Sequence, residues 1–70
     1  MYEVDARGLS CPQPVLLFHQ AAKEQSGHDL VVLVDNEASR ENVSRAARKL
    51  GFTVNVVEVE DGVVRLEMHK

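Results

Sequence analysis

The sequence predicts an α+β domain: a two-layer α/β sandwich of order β-α-β-α-β-β, with two helices on one face of a mixed four-stranded sheet. Three observations carry this expectation. The run Leu30-Val31-Val32-Leu33-Val34 is β-rich and apolar in both phases, as a central buried strand should be. Val43, Ala46, Ala47 and Leu50 recur at the i, i+3, i+4, i+7 spacing of a helix face. The segment VVEVEDGVVRLEM, from Val56 to Met68, reads as two strands joined at Asp61-Gly62.

Taken in order, Tyr2 to Ala6 is a short strand and Arg7-Gly8 a turn, with Gly8 free to take positive φ. Residues 12 to 25 form a helix whose apolar face is Val15-Leu16-Leu17-Phe18 with Ala21 and Ala22, and Gly27 stops it. After the strand between Asp29 and Asp35, the second helix is expected from Ser39, its N-cap, to Leu50, with Gly51 ending the last turn. Arg40, Arg45, Arg48 and Lys49 occupy its remaining faces. A solvated face with a Glu41 to Arg45 pair is the simplest account of them, and a partner-docking surface is the alternative.

Residues 52 to 60 and 63 to 68 complete the sheet as a hairpin with a two-residue type I′ turn. That register sets Val57 opposite Leu66, Val59 opposite Val64 and Glu58 beside Arg65. Phe52, Val54 and Val56 alternate in one phase while Val57 and Val59 follow the other, which predicts a β-bulge near Val56 and Val57. The opening β-α-β unit joins parallel strands, and the hairpin adds antiparallel pairing. Part of Leu30 to Val34 and one phase of residues 52 to 59 are expected on the uncovered face, apolar enough for a weak dimer.

Seventy residues hold one core, so residues 1–70 are expected to be a single domain. A hydrophobic content of 44% with 27% charged residues is that of a folded globular chain, which excludes a disordered one. The longest apolar runs, Val15 to Phe18 and Leu30 to Val34, fall far short of the ~20 residues of a membrane span. Acidic residues at Glu3 and Asp5 stand where a secretory leader would be basic, so neither a membrane segment nor a targeting segment is expected. The net charge of -3 argues against direct nucleic-acid binding. A single cysteine rules out an internal disulfide, and a thiol that must stay free points to a reducing cytoplasm.

That cysteine lies in Arg7-Gly8-Leu9-Ser10-Cys11-Pro12-Gln13-Pro14-Val15. A residue before proline is pushed toward extended geometry, the conformation of an N-cap, so Cys11 is expected to cap the first helix. Pro12 then takes the first helical position, where its missing N–H is no loss, and Pro14 stays within the first turn. The Gln13 N–H is the donor left for the sulfur, at the positive end of the helix dipole. Arg7 adds a positive charge if Gly8 folds it back, and these effects favour thiolate over thiol. The local sequence describes a preorganised, reactive cysteine.

The remaining chemistry narrows the options. His19 lies eight residues along the helix, roughly 12 Å up its axis, too far to serve as the base of a Cys–His hydrolase. His28, in a turn, and His69, near the end of the chain, show no metal-ligand spacing with Cys11, and no metal or cofactor is expected. A dithiol oxidoreductase needs a second cysteine where Pro14 stands. A thiolate that receives a group and passes it on intact remains, and persulfide sulfur fits that requirement.

Asp5-Ala6-Arg7-Gly8-Leu9-Ser10-Cys11-Pro12-Gln13-Pro14 resembles the signature of the TusA/SirA family of small sulfurtransferase-like carriers, with its Cys-Pro-x-Pro core. The resemblance extends along the whole chain and is strongest over residues 4 to 18. It implies a two-layer sandwich in which Cys11 accepts persulfide sulfur from a cysteine desulfurase or rhodanese-like donor. Delivery to a downstream thiol acceptor follows, for tRNA thiolation, molybdenum cofactor or sulfur metabolism, so the protein works within a sulfur relay rather than as a stand-alone enzyme. Pro12, Gln13 and Pro14 would shape the helix start, Arg7 and Gly8 the approach to the sulfur, and Asp5 would support Arg7. A selenium carrier of the same family, or a non-catalytic regulatory or docking module using the basic helix 39–50, are the alternatives.

Overall fold

The computed structural model of the chain describes residues 2–10, 13–25 and 29–70. The expected cap at Cys11, Pro12 at the helix start, the stop at Gly27 and the turn histidine His28 lie outside the described residues. The elements are β1 (Tyr2–Asp5), α1 (Gln13–Glu24), β2 (Leu30–Val34), α2 (Glu37–Lys49), β3 (Thr53–Glu60) and β4 (Val63–His69). They form one four-stranded sheet of order β1-β2-β4-β3 under two helices, the α+β sandwich the sequence predicts.

β1 runs parallel to β2, with Val4 opposite Val32, and β4 runs antiparallel to both β2 and β3. Leu30, Val32 and Val34 line up with Met68, Leu66 and Val64 on β4, and this phase of the sheet faces the helices. There it packs against Phe18 and Ala21 of α1 and Val43 and Ala47 of α2 in one core, so both helices cover the same face. Phe18 also meets Phe52 edge to face, with ring centroids 5.9 Å apart.

The other face is not the apolar surface expected. Val31 is fully buried there without a helix above it. Glu3 and Glu67 flank it in register, and Arg65 reaches both, at 3.0 Å to Glu67 and 3.6 Å to Glu3. Three charged side chains therefore lie over the valine, their aliphatic stems shielding it while their heads stay in water.

The N-cap of helix α2 lies three residues earlier than the sequence suggests. Asn36 is its N-cap, with an extended backbone and a side-chain oxygen that accepts from the Ser39 N–H at 2.8 Å. Ser39 shares a face with Val43 and Ala47, the face that enters the core, so it is buried inside the first turn and cannot cap. The Glu41–Arg45 pair does not form among the described residues; Arg40 pairs with Glu37 instead, at 3.2 Å.

The hairpin register is also corrected. Val56 lies opposite Leu66, Val57 opposite Arg65 and Glu58 opposite Val64, and the bulge falls at Val59, between Glu58 and Glu60, rather than near Val56 and Val57. Placing the extra residue beside the turn keeps Val54 and Val56 in phase with Met68 and Leu66 on the core side. The turn is not type I′, because Gly62 takes positive φ (79°) and Asp61 does not. His69 closes β4 opposite Thr53 and lies 3.1 Å from Asp29.

Past its C-cap Leu50, α2 ends in a Schellman motif. Gly51 has φ 91°, its N–H donates to the Arg48 carbonyl, and the Phe52 N–H donates to the Ala47 carbonyl, both at 3.0 Å. The same turn delivers Phe52 to the core beside Ala47. A Cβ on Gly51 would meet nothing within 4 Å, so Gly51→Ala carries only the cost of left-handed backbone. That variant should lose about 1 kcal/mol of stability in urea unfolding with an unchanged denaturant slope.

Candidate functional site

The segment from Arg7 to Ser10 leads from the end of β1 to Cys11, and four separate contacts hold it. The Ala6 N–H donates to the Leu33 carbonyl of β2 at 2.9 Å. Gly8 turns the chain at φ 77°, and its N–H donates to Asp35 Oδ2 at 2.7 Å, a short bond to a charged acceptor. Asn36 Nδ2 donates to the Leu9 carbonyl and to Asp35 Oδ1, each at 3.4 Å. The Gln13 N–H donates to the Ser10 carbonyl at 3.0 Å as α1 begins.

This last bond changes the expected arrangement, since that N–H was the donor assigned to the sulfur of Cys11. The Ser10 carbonyl takes it up instead. Gln13 itself is exposed, and Pro14, next in the helix, is fully buried and seats the first turn in the protein interior. Cys11 and Pro12 lie outside the described residues.

Arg7 and Asp5 are brought together. The guanidinium makes two parallel bonds to the carboxylate, Nε to Oδ1 at 2.9 Å and Nη2 to Oδ2 at 2.8 Å, and the Arg7 backbone N–H adds a third at 3.1 Å. The side-chain bond to Arg7, seconded by the backbone bond, pulls the Asp5 pKa from 3.8 down to about 2, and the same partner pushes that of Arg7 up. Arg7 thus neutralises Asp5 rather than standing as a free cation beside the thiol.

Asp35 and Asn36 were not read from the sequence as site residues. Each uses one end of the β2–α2 connection to grip a loop 27 residues away. The signal that points to them is positional: an Asp-Asn pair between a buried strand and a helix, beside the parallel β1–β2 pair, where both strands open at the same sheet edge. Both helices also start at this edge, so two positive dipole ends favour an anion there.

The fold is a two-layer α+β sandwich in which the loop before the single cysteine is tied to the start of the second helix. The chain belongs to the TusA sulfurtransferase family, whose family model matches residues 2–70. It is 36% identical over 67 residues to a candidate sulfur carrier protein of Archaeoglobus fulgidus, covering 93% of this chain and 87% of the relative. It is 31% identical over 61 residues to the sulfur carrier protein TusA of Pseudomonas syringae pv. syringae, covering 86% and 73% of the two chains. The crystal structure of a SirA-like protein from Desulfitobacterium hafniense superposes with a TM-score of 0.90 at 34% identity, covering 97% of this chain and 95% of that one.

Two predictions concern the loop. Because the folded pKa of Asp5 lies below 3.8, its pairing favours the folded state above that pH and is lost as the pH falls toward about 2. In Arg7→Gln the Asp5 midpoint, followed by carboxyl-carbon NMR, should rise toward the ordinary carboxylate value. In Asp35→Ala the Gly8 amide loses a charged acceptor, and its hydrogen exchange should accelerate at least about tenfold while core amides of β2 are unchanged.

Proposed function

We propose that this chain is a sulfur carrier in which Cys11 holds the sulfur as a persulfide. What carries the reading is that the whole chain falls in a family with relatives named as sulfur carriers, and it contains a single cysteine. Only Cys11 can therefore carry a thiol-bound sulfur.

In the loading step the Cys11 thiolate attacks the outer sulfur of a donor persulfide. A new sulfur–sulfur bond forms at Cys11, the bond within the donor breaks, and the donor leaves as a thiolate. In the delivery step an acceptor thiolate attacks the outer sulfur of Cys11, and Cys11 leaves as a thiolate in turn. The sulfur moves at one oxidation level throughout, so no external oxidant or reductant enters.

The donor would be a cysteine desulfurase or a rhodanese-like protein, and the acceptor a protein thiol. Helix N-termini at the site edge favour the thiolate as attacking and as leaving group. The tied loop, with Arg7 and Gly8 before the cysteine and Pro12, Gln13 and Pro14 after it, would hold the sulfur in a fixed, open position. Asp5 acts on it only through Arg7. One domain over residues 1–70, kept reduced in the cytoplasm, suffices for this role, because substrate recognition is left to the partners.

Intact mass of the reduced protein, after incubation with a cysteine desulfurase and cysteine, should show a gain of one sulfur atom that dithiothreitol removes and that maps to Cys11. Cys11→Ser should retain its thermal midpoint and gain nothing. Persistent loading of that variant would overturn the assignment.

A further inference from the structure

A groove of about 520 Å³ opens between α2 and β3. Arg40, Arg45, Arg48 and Lys49 line it, with Val56 on the strand side and Glu41 as the single carboxylate. Half of the eight basic residues of a chain with net charge -3 thus share one groove. Arg40 is held by Glu37, whereas Arg45, Arg48 and Lys49 have no ion pair among the described residues. Ser44 lines it as well, its hydroxyl buried and without a partner among the described residues.

The groove runs beside an open strand edge. β3 stands at the end of the strand order and pairs on one side only, with β4. Its other edge offers backbone N–H and C=O groups to an added strand. Val56 and Val57, on opposite faces of the strand, are 46% and 39% exposed, and Val59 at the bulge is 48% exposed. The bulge at Val59 and the carboxylates of Glu58 and Glu60 guard the far end of the strand. Thr53 to Val57, next to the unpaired cations, has no such guard.

Arg40 lines a second cavity too, which continues past Asp35 and Asn36. That cavity carries the carboxylates of Asp35, Glu37, Glu58 and Asp61, so the basic groove ends at Arg40, next to the residues that tie down the loop before Cys11.

We propose that this groove is the docking track for an extended acidic segment of the protein that exchanges sulfur with Cys11. The segment adds as a strand along Thr53 to Val57. Carboxylates on alternate residues face Arg45, Arg48 and Lys49, and the intervening apolar residues lie beside Val57 on the other face. A second copy of this chain fits less well, because pairing through β3 would bring two basic α2 flanks together. An RNA offers no backbone amides to the strand edge. The role of the segment rests on the sulfur-carrier reading, while the geometry stands without it.

The test uses the full chain and a fluorescein-labelled eight-residue peptide of alternating Glu and Val. Anisotropy should show saturable binding that weakens steeply with added salt and falls about tenfold in R45A/R48A/K49A. These three side chains are exposed, so the variant should keep its fold, which circular dichroism checks. Amide shifts should centre on residues 53 to 57, and the same peptide with Lys for Glu should not bind. The proposal is overturned by absent binding, by equal binding of the Lys peptide, by shifts centred on Val15, His19 and Leu50, which line a separate cleft between α1 and α2 with Arg45 and Lys49, by tighter binding of an oligouridylate, or by self-association through β3 in sedimentation. Loading of Cys11 from glutathione persulfide bypasses the groove and should be unchanged in the triple variant. A wild-type chain that binds the peptide but never loads sulfur would defeat the carrier reading instead, and one that loads but never binds would defeat the docking proposal alone.

Discussion

Because β2 is paired on both sides, parallel to β1 and antiparallel to β4, its backbone has no free edge. Its side chains have no free face either: Leu30, Val32 and Val34 meet the helices, and Val31 lies beneath the Glu3–Arg65–Glu67 ion pairs. Each neighbour is positioned by reference to this strand. β1 takes its register from it, so Ala6 reaches Leu33, and the strand then continues directly into Asp35 and Asn36. The residues that grip the cysteine loop are thus extensions of the most constrained segment of the chain, which is what gives the loop a fixed frame.

Much of this was legible in the residues themselves. Five successive β-rich apolar residues can only be a strand covered on both faces, and Val43 with Ala47 can only be the inner face of a helix. Gly8 and Gly51 stand where a chain must turn with positive φ, and both do. The bulge was displaced because Val56, Val57 and Val59 satisfy two alternations equally well, and the choice is made by the pairing with Leu66 and Met68 rather than by the strand alone. The α2 cap was misread for a related reason: Ser39 and Asn36 are both good caps, and burial of the Ser39 face decides between them. Asp35 escaped notice as a site residue because its partner, Gly8, is distant in sequence and near only in the fold.

Charge is distributed unevenly over this small surface. At the loop end Arg7 is matched with Asp5 and Arg40 with Glu37, so little free positive charge is left for the thiol beyond the helix N-termini. Along the outer flank of α2, Arg45, Arg48 and Lys49 have no ion pair among the described residues, although the chain as a whole is acidic. The chemistry proposed at Cys11 and the recognition proposed along α2 would therefore draw on different electrostatic sources. They share only the short connection at Asp35 and Asn36.

The strand order has a consequence for the timing of folding. β2 is flanked by β4, so the central strand cannot close its second side until the segment from Val63 to His69 has left the ribosome. The β3–β4 hairpin is local and quick to form, whereas the β2–β4 ladder joins residues thirty or more positions apart. During synthesis the cysteine loop precedes the frame that holds it. The segment before the cysteine is thus made ahead of the residues that hold it, and until then its environment is that of a nascent chain.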